Sequence, residues 1–225
     1  MRVAIFGGKG GGTGAAEVLR HLASAGRSGR LAGFLNDRLP IGSLLYGGRV
    51  LCSFDDWCQL KSDLLFLAPL HKAGHMQQNA ARIHGLGVPE SRWAKLIDPR
   101  SAVADDMSLG PGSVIAGFAT VEAGTAIGSH SFVRPSATVG RSSAIDDFVY
   151  VGPNAVLCSH SRLELGSHIA PGAVVRSGIM VGKFAVVGLG AVVTSDVPDY
   201  AVVTGNPARV QKEVGHMPGM SDSAL

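Results

Sequence analysis

A Rossmann-like α/β unit followed by an all-β solenoid of very short parallel strands is the fold class this sequence predicts, and three observations predict it. In steps of six from Ile97 to Val193, all 17 positions are Ile, Leu or Val, although these residues make up only 54 of the 225 in the chain. Four residues after each aliphatic, the side chain is Ala, Ser or Thr in 13 of the 17 cases, the exceptions being Met107, Val149, Ile179 and Val197. Residues 1–96 lack this beat and instead alternate strand-like, glycine-rich and helix-like stretches.

The hexads come first, because a repeat decides the architecture of everything it covers. Six residues per face and three faces per coil give an 18-residue turn of triangular cross-section. The aliphatic fills the interior and the small residue four later fits the inner corner. Successive coils then pair through parallel backbone hydrogen bonds at about 4.7–4.9 Å. Burying one aliphatic is worth roughly 1.5–3 kcal/mol, so the column makes a core without aromatics. The periodicity fixes the coil but not its hand. It spans 97–210, and the tail 211–225 is expected to be mobile.

In the N-terminal unit, "RVAIFGG" reads as a buried strand, "GKGGGTG" as a glycine turn and "AAEVLRHLASAG" as a helix. "LAGFLND" is a second strand with Asn36 and Asp37 at its tip, and "DLLFLAPL" is another. Met76, Ala80, Ile83 and Leu86 recur at helical spacing. Strand, glycine turn, helix and acidic-tipped strand make a small βαβ plan. Gly10-x-Gly12-x-x-Ala15 fits a loose dinucleotide fingerprint, with Asp37 about twenty residues on. Two explanations stand side by side: a tight turn required for packing, or backbone N–H groups that cradle a phosphate with Lys9 adding charge. The P-loop pattern is not met, since neither Ser nor Thr follows Lys9.

Composition narrows the classes. Charged residues are 16%, aromatics 6%, and glycines number 31, the profile of small residues and tight turns rather than disorder. A net charge of +3 with no basic run gives no argument for nucleic acid or a membrane surface as partner. Cys52, Cys58 and Cys158 lack CxxC spacing, so neither a disulfide framework nor a zinc site is indicated. The chain start turns glycine-rich too early for a signal peptide, and a soluble cytoplasmic protein is expected.

The hexads, ending in "GAVVTSDVPDYAVVTGNPARV", resemble those of the hexapeptide-repeat acyltransferases. That resemblance implies a left-handed parallel β-helix, a homotrimer with active sites between neighbouring helices, and acetyl-CoA as donor. The junction "IDPRSAV" after a Rossmann-like piece resembles the sugar acetyltransferases of the sialic-acid O-acetyltransferase and bacillosamine N-acetyltransferase type. In that family the N-terminal domain holds a nucleotide-linked amino sugar. Gly8, Lys9, Gly10, Gly12, Thr13 and Asp37 would then be substrate contacts rather than an NAD site. The family loop reads Gly-Gly-His-Gly; here Gly12 or Thr13 stands where its histidine falls, and Asp98 replaces the junction histidine.

His168-Ile169-Ala170-Pro171-Gly172 matches a further family stretch without a gap. In strict register the family's catalytic histidine falls on Ser159, and His160 stands where the acidic helper belongs. Acyl transfer needs a base to take the proton from the attacking amine or hydroxyl, and an imidazole, with pKa near 6.5, suits that work. His160 is therefore the candidate base, acting without a carboxylate partner and on an amine in preference to a hydroxyl. The competing reading is an idle imidazole on an exposed bend. His168 is the candidate contact for the thioester or pantetheine arm. Ser177, Gly178, Gly188 and Gly190 would let the backbone approach the arm, and Arg209 would meet the CoA phosphates.

Two other functions compete. One is a sugar-nucleotide-binding or scaffold protein with impaired catalysis, suggested by the missing carboxylates. The other is a zinc enzyme of the γ-carbonic-anhydrase type, for which His130, His160 and His168 supply the count but not separations near multiples of 18.

Overall fold

In the computed structural model the described residues are 1–215. The N-terminal unit is built on β1 (Arg2–Phe6), flanked in parallel by β2 (Arg30–Leu35) and, on its other side, by the strand Leu64–Leu67. A short hairpin of β3 (Leu44–Leu45) and β4 (Gly48–Cys52) extends the sheet beyond β2, and Leu64–Leu67 is β5. The order is β3-β4-β2-β1-β5. Successive side chains of a strand face opposite ways. Val3 and Ile5 therefore pack on Ala15, Ala16, Val18, Leu19 and Leu22 of α1 (Gly11–Ser24). Ala4 and Phe6 join Met76, Ala80 and Ile83 of α2 (Met76–Gly85) on the other side.

From Leu96–Ile97 to Val192–Val193 run 17 two-residue strands, each ending on an aliphatic of the sixfold beat. They sort into three parallel sheets, and each strand pairs with the one 18 residues on, as in Tyr150 with His168 and Val151 with Ile169. The first face carries the strands at Leu96, Val114, Phe132, Tyr150, His168 and Val186, the second begins with Ala102, and the third with Ser108. The aliphatics and inner-corner alanines form one core. Val149, Ile179 and Val197 are buried in the same inner-corner position despite their size.

Inner hydroxyls have work to do at the bends. Ser113, Thr125 and Ser131 donate to the carbonyls of Gly128, Gly140 and Asp146 in the following coil. Their small size is thus joined to a need, because a buried carbonyl without a donor is costly. Glycine beside the aliphatic answers a different need: a Cβ on Gly152 would lie 2.6 Å from the nitrogen of Pro171 in the next coil. The left-handed bend positions mostly carry other residues, among them His130, Ser142, Asn154 and His160.

The first face is covered. Leu96, Val114, Ala116 and Phe132 pack with α1, while Phe148 and Phe184 pack with the α2 side of the N-terminal sheet. At the far end Ala201–Thr204 continues the first face, and Arg209–Glu213 pairs with it antiparallel. The structure corrects one expectation here. The segment from 211 to 213 is strand rather than tail, because its backbone pairs with Ala201 and Val202. The rest of the expected tail from 216 lies outside the described residues. Among the described residues, no helix is long and apolar enough to cross a membrane.

Candidate active site

The glycine loop serves packing at several points. Gly7 and Gly10 take positive φ, and a side chain on Gly11 would run into the Pro69 carbonyl oxygen. Gly12 has only ordinary neighbours, the nearest 3.6 Å from an added Cβ, so no contact demands glycine there. Helix α1 starts at Gly10 with no side-chain cap and no acidic residue in its first turn. Its first amides and positive dipole end are left for another partner. Lys9 is exposed, and the Thr13 hydroxyl donates to the Gly10 carbonyl.

Asp37 already has partners. Its carboxylate accepts from the Phe54 amide at 2.7 Å and pairs with Arg82 at 3.1 Å. Asp98, at the family's histidine position, is 1% exposed and takes a hydrogen bond from His21 of α1 at 2.6 Å and another from Arg100 at 3.1 Å. Burial pushes its carboxyl up, but the hydrogen bonds from Arg100 and His21 outweigh that and hold it below its ordinary value. The junction is thereby locked to α1.

Between the loop and His168 lies a chain of side chains that the motifs do not reveal. Arg134 sits on Gly14 of α1, where any side chain would collide with its Nη1, and its Cζ lies 4.7 Å from the Phe132 ring centre. His71, just after β5, stands 6.0 Å from Phe132 and 5.7 Å from Tyr150 between ring centres. Tyr150 stacks on His168 at 4.4 Å. His71 Nε2 donates to the His130 carbonyl at 2.8 Å, which leaves Nδ1 as an acceptor. Burial drives the His71 imidazole down to about 3, against the lift from that hydrogen bond, with the charges of His168, His130 and Arg134 adding to the fall. Burial likewise takes His168 to about 4. Nδ1 of His71, Nδ1 of His168, and Nε and Nη1 of Arg134 are buried without a hydrogen-bond partner.

His160 lies elsewhere. It occupies the left-handed bend between the second-face strand Val156–Leu157 and the third-face strand Arg162–Leu163, exposed, with its amide bonded to the Arg141 carbonyl. Ser161 is buried and turned inward, its hydroxyl on the Cys158 carbonyl, so it does not serve the ring. That corner is opposite the first face, so one chain does not bring His160 and His168 together. Ser177 and Gly178 share the His160 corner one coil on, since Gly178 bonds Ser159. Gly188 and Gly190 lie at the corner between the first and second faces, below His168. Arg209 is exposed on the last strand, its guanidinium on the Ala208 carbonyl. The residues expected to contact CoA therefore fall on two edges of one face. Among the described residues, no group of three or more His, Cys, Asp or Glu converges as a metal site.

His71 and Arg134 escaped the sequence reading, whereas the 18-residue spacing does stack Tyr150 on His168. Phe132, Tyr150 and His168 do carry a signal, being three bulky residues at 18-residue spacing on one face. His71 carries none.

A hexad coil with a small α/β unit seated on one face defines a class, and the comparisons agree with it. The acetyltransferase domain of PglB from Neisseria gonorrhoeae, in complex with acetyl coenzyme A, is 30% identical, with 93% of this chain and 98% of that domain covered and a TM-score of 0.80. WeeI from Acinetobacter baumannii is 25% identical over 94% of this chain and 100% of that one, with a TM-score of 0.78. A variant of perosamine N-acetyltransferase from Caulobacter crescentus, in complex with CoA and GDP-perosamine, shares the fold at 20% identity, with a TM-score of 0.80 and 95% and 98% coverage. A dTDP-3-amino-3,6-dideoxy-alpha-D-galactopyranose 3-N-acetyltransferase from Aneurinibacillus thermoaerophilus is 56% identical over 32 residues, 14% of this chain and 17% of that relative. No family model matches the chain. The chain belongs to the hexapeptide-repeat sugar acetyltransferases.

Proposed function

We propose that this protein transfers the acetyl group of acetyl-CoA to an amino group of a nucleotide-linked sugar. One observation carries the reading: from the uncapped start of α1, Arg134, Phe132, His71, Tyr150 and His168 follow one another in contact between the α/β unit and the first face. This row is suited to a substrate anchored by its nucleotide in the α/β unit, with its sugar lying toward His168. The N-terminal unit is read as Rossmann-like and the coil as left-handed, in line with the family. The domains are taken as 1–96 and 97–210. Gly8, Lys9, Gly10, Gly12 and Thr13 take the diphosphate, while Asp37, held by Phe54 and Arg82, borders that site.

His160 acts as the base from a second copy. The two edges that carry Ser177 with Gly178, and Gly188 with Gly190, form one donor groove only when neighbouring copies meet, and a closed homotrimer supplies three such grooves. His160 takes the amine proton as nitrogen attacks the thioester carbonyl, and the CoA thiolate leaves. Serine at 159 favours a second reading, in which the protein binds a nucleotide sugar without turning it over.

Thiol release from acetyl-CoA with a panel of nucleotide-linked amino sugars tests both. Turnover in the wild type that falls by roughly 100-fold or more in His160→Ala supports the base assignment. Unchanged turnover in the variant removes His160 from the mechanism, and sugar binding without thiol release in the wild type establishes the second reading.

A further inference from the structure

Arg134 is an anomaly of charge. Its Nε and Nη1 are shielded from solvent and bonded to nothing, although it lies against the face of Phe132 and the backbone of Gly14. The residue as a whole is half-buried, but two guanidinium nitrogens shielded from water without acceptors carry a desolvation cost that a bound oxyanion would relieve. The nearby carboxylates are committed elsewhere. Glu17 faces Arg20 and His21, and Asp98 is held by His21 and Arg100. Among the described residues no carboxylate lies within ion-pair distance of Arg134, while its charge is felt at both His71 and Tyr150.

We propose that Arg134 binds a carboxylate carried by the sugar ring of the acceptor, so that the substrate is a nucleotide-linked amino sugar acid. This rests on the function proposed above. The charge count favours a single negative group: one guanidinium, with the His71 imidazole that burial keeps neutral near it and able to accept, suits a monoanion among hydroxyls. A diphosphate brings at least two charges, more than one guanidinium balances. Position agrees, since Arg134 lies between the start of α1 and His168, the stretch that the sugar spans. Tyr150, stacked on His168, offers a hydroxyl donor beside the guanidinium.

The test compares two nucleotide-linked amino sugars that differ only in bearing a ring carboxylate or a hydroxymethyl group. Thiol release and ligand-induced melting shifts are measured for the wild type, Arg134→Met and Arg134→Lys. A charge-assisted contact of this kind gives the wild type a preference of roughly 10- to 100-fold for the acid. In Arg134→Met that preference disappears, kcat/KM for the acid falling roughly 10- to 100-fold further than for the neutral sugar, and Arg134→Lys recovers part of it. Without ligand, Arg134→Met melts no lower than the wild type, because two shielded nitrogens without acceptors are gone; a merely structural arginine would give a lower melting point. Equal or better use of the neutral sugar by the wild type overturns the inference and leaves the acetyltransferase reading standing. So does an Arg134→Met defect that appears equally with a plain nucleoside diphosphate, since the oxyanion would then belong to the nucleotide. If neither sugar binds or releases thiol, the proposed function and this inference fail together.

Discussion

Mild acid removes stability from this fold through three imidazoles that burial holds neutral. His71 is driven down to about 3, and His130 and His168 to about 4, with burial the first cause in each. His130 is wedged between Phe148, stacked at 4.8 Å, and Trp93 at 4.6 Å, so it has no room for a hydrated charge. In the unfolded chain each takes its proton near pH 6.5. Between pH 6.5 and about 4 the unfolded state therefore binds up to three more protons than the folded one, and stability falls as pH falls. Each such proton changes unfolding free energy by about 1.4 kcal/mol per pH unit, so the three together reach about 4 kcal/mol per unit. From pH 6.5 to 5 the loss is about 5 kcal/mol, the slope being half its full value at pH 6.5 where the unfolded imidazoles are half protonated, and that is a large share of the 5–15 kcal/mol of an ordinary domain. Asp98 acts in the same direction but only near and below its ordinary value of 3.8, so it leaves this window untouched. Urea unfolding followed by circular dichroism at several pH values between 7 and 5 gives the slope directly. His168→Phe, which keeps a ring on Tyr150, is expected to lower that slope by about a third. A wild-type slope below one proton between pH 6 and 5, or a slope unaltered in His168→Phe, would refute the argument.

Two further substitutions test the packing that positions the site. Gly11→Ala forces a Cβ into the Pro69 carbonyl and is expected to lower the melting temperature despite alanine's helix propensity, whereas Gly12→Ala, whose nearest neighbour lies at 3.6 Å, should raise stability by up to about 1 kcal/mol. Ile169→Ala empties a fully buried place in the coil and should cost about 2–5 kcal/mol in urea unfolding, while Arg162→Ala on the same coil's exposed face should cost less than about 0.5 kcal/mol.

The coil was legible because it repeats one physical demand. Every sixth residue must be an aliphatic that reaches the axis, and the corner four later tolerates little beyond Ala, Ser or Thr. The exceptions Val149 and Ile179 are themselves buried, so the pattern is a rule about space. The N-terminal sheet was legible in outline from its alternating elements. The contact between the two halves was not, because it depends on surfaces that no local period describes. Arg134 reads in sequence as an ordinary exposed corner residue, and only the seating of α1 covers it. His71 gains its role from one hydrogen bond to a residue 59 positions away. Asp37 was singled out by its place at a strand tip, and the fold adds what no local pattern carries: its carboxylate also holds the Phe54 amide and Arg82.

The spacing of the two histidines constrains how the proposed reaction can be assembled. Eight residues on a sixfold beat carry the chain from a bend between the second and third faces to the start of the first face. In a three-sided column that bend and that face lie on opposite sides of the core, and Leu163 and Ile169, fully buried between them, fill the way through. No side-chain rotation closes such a gap. If His160 is the base and His168 borders the thioester, the two come from different copies, and activity must vanish with dissociation even when every residue is intact. Mixed oligomers settle the point: His160→Ala and His168→Ala, each inactive alone, should regain turnover when their subunits are exchanged, because some interfaces then pair an intact bend with an intact face. Failure to complement, with exchange verified by mass, would put both histidines in the same chain's chemistry and contradict the geometry from which the proposal starts.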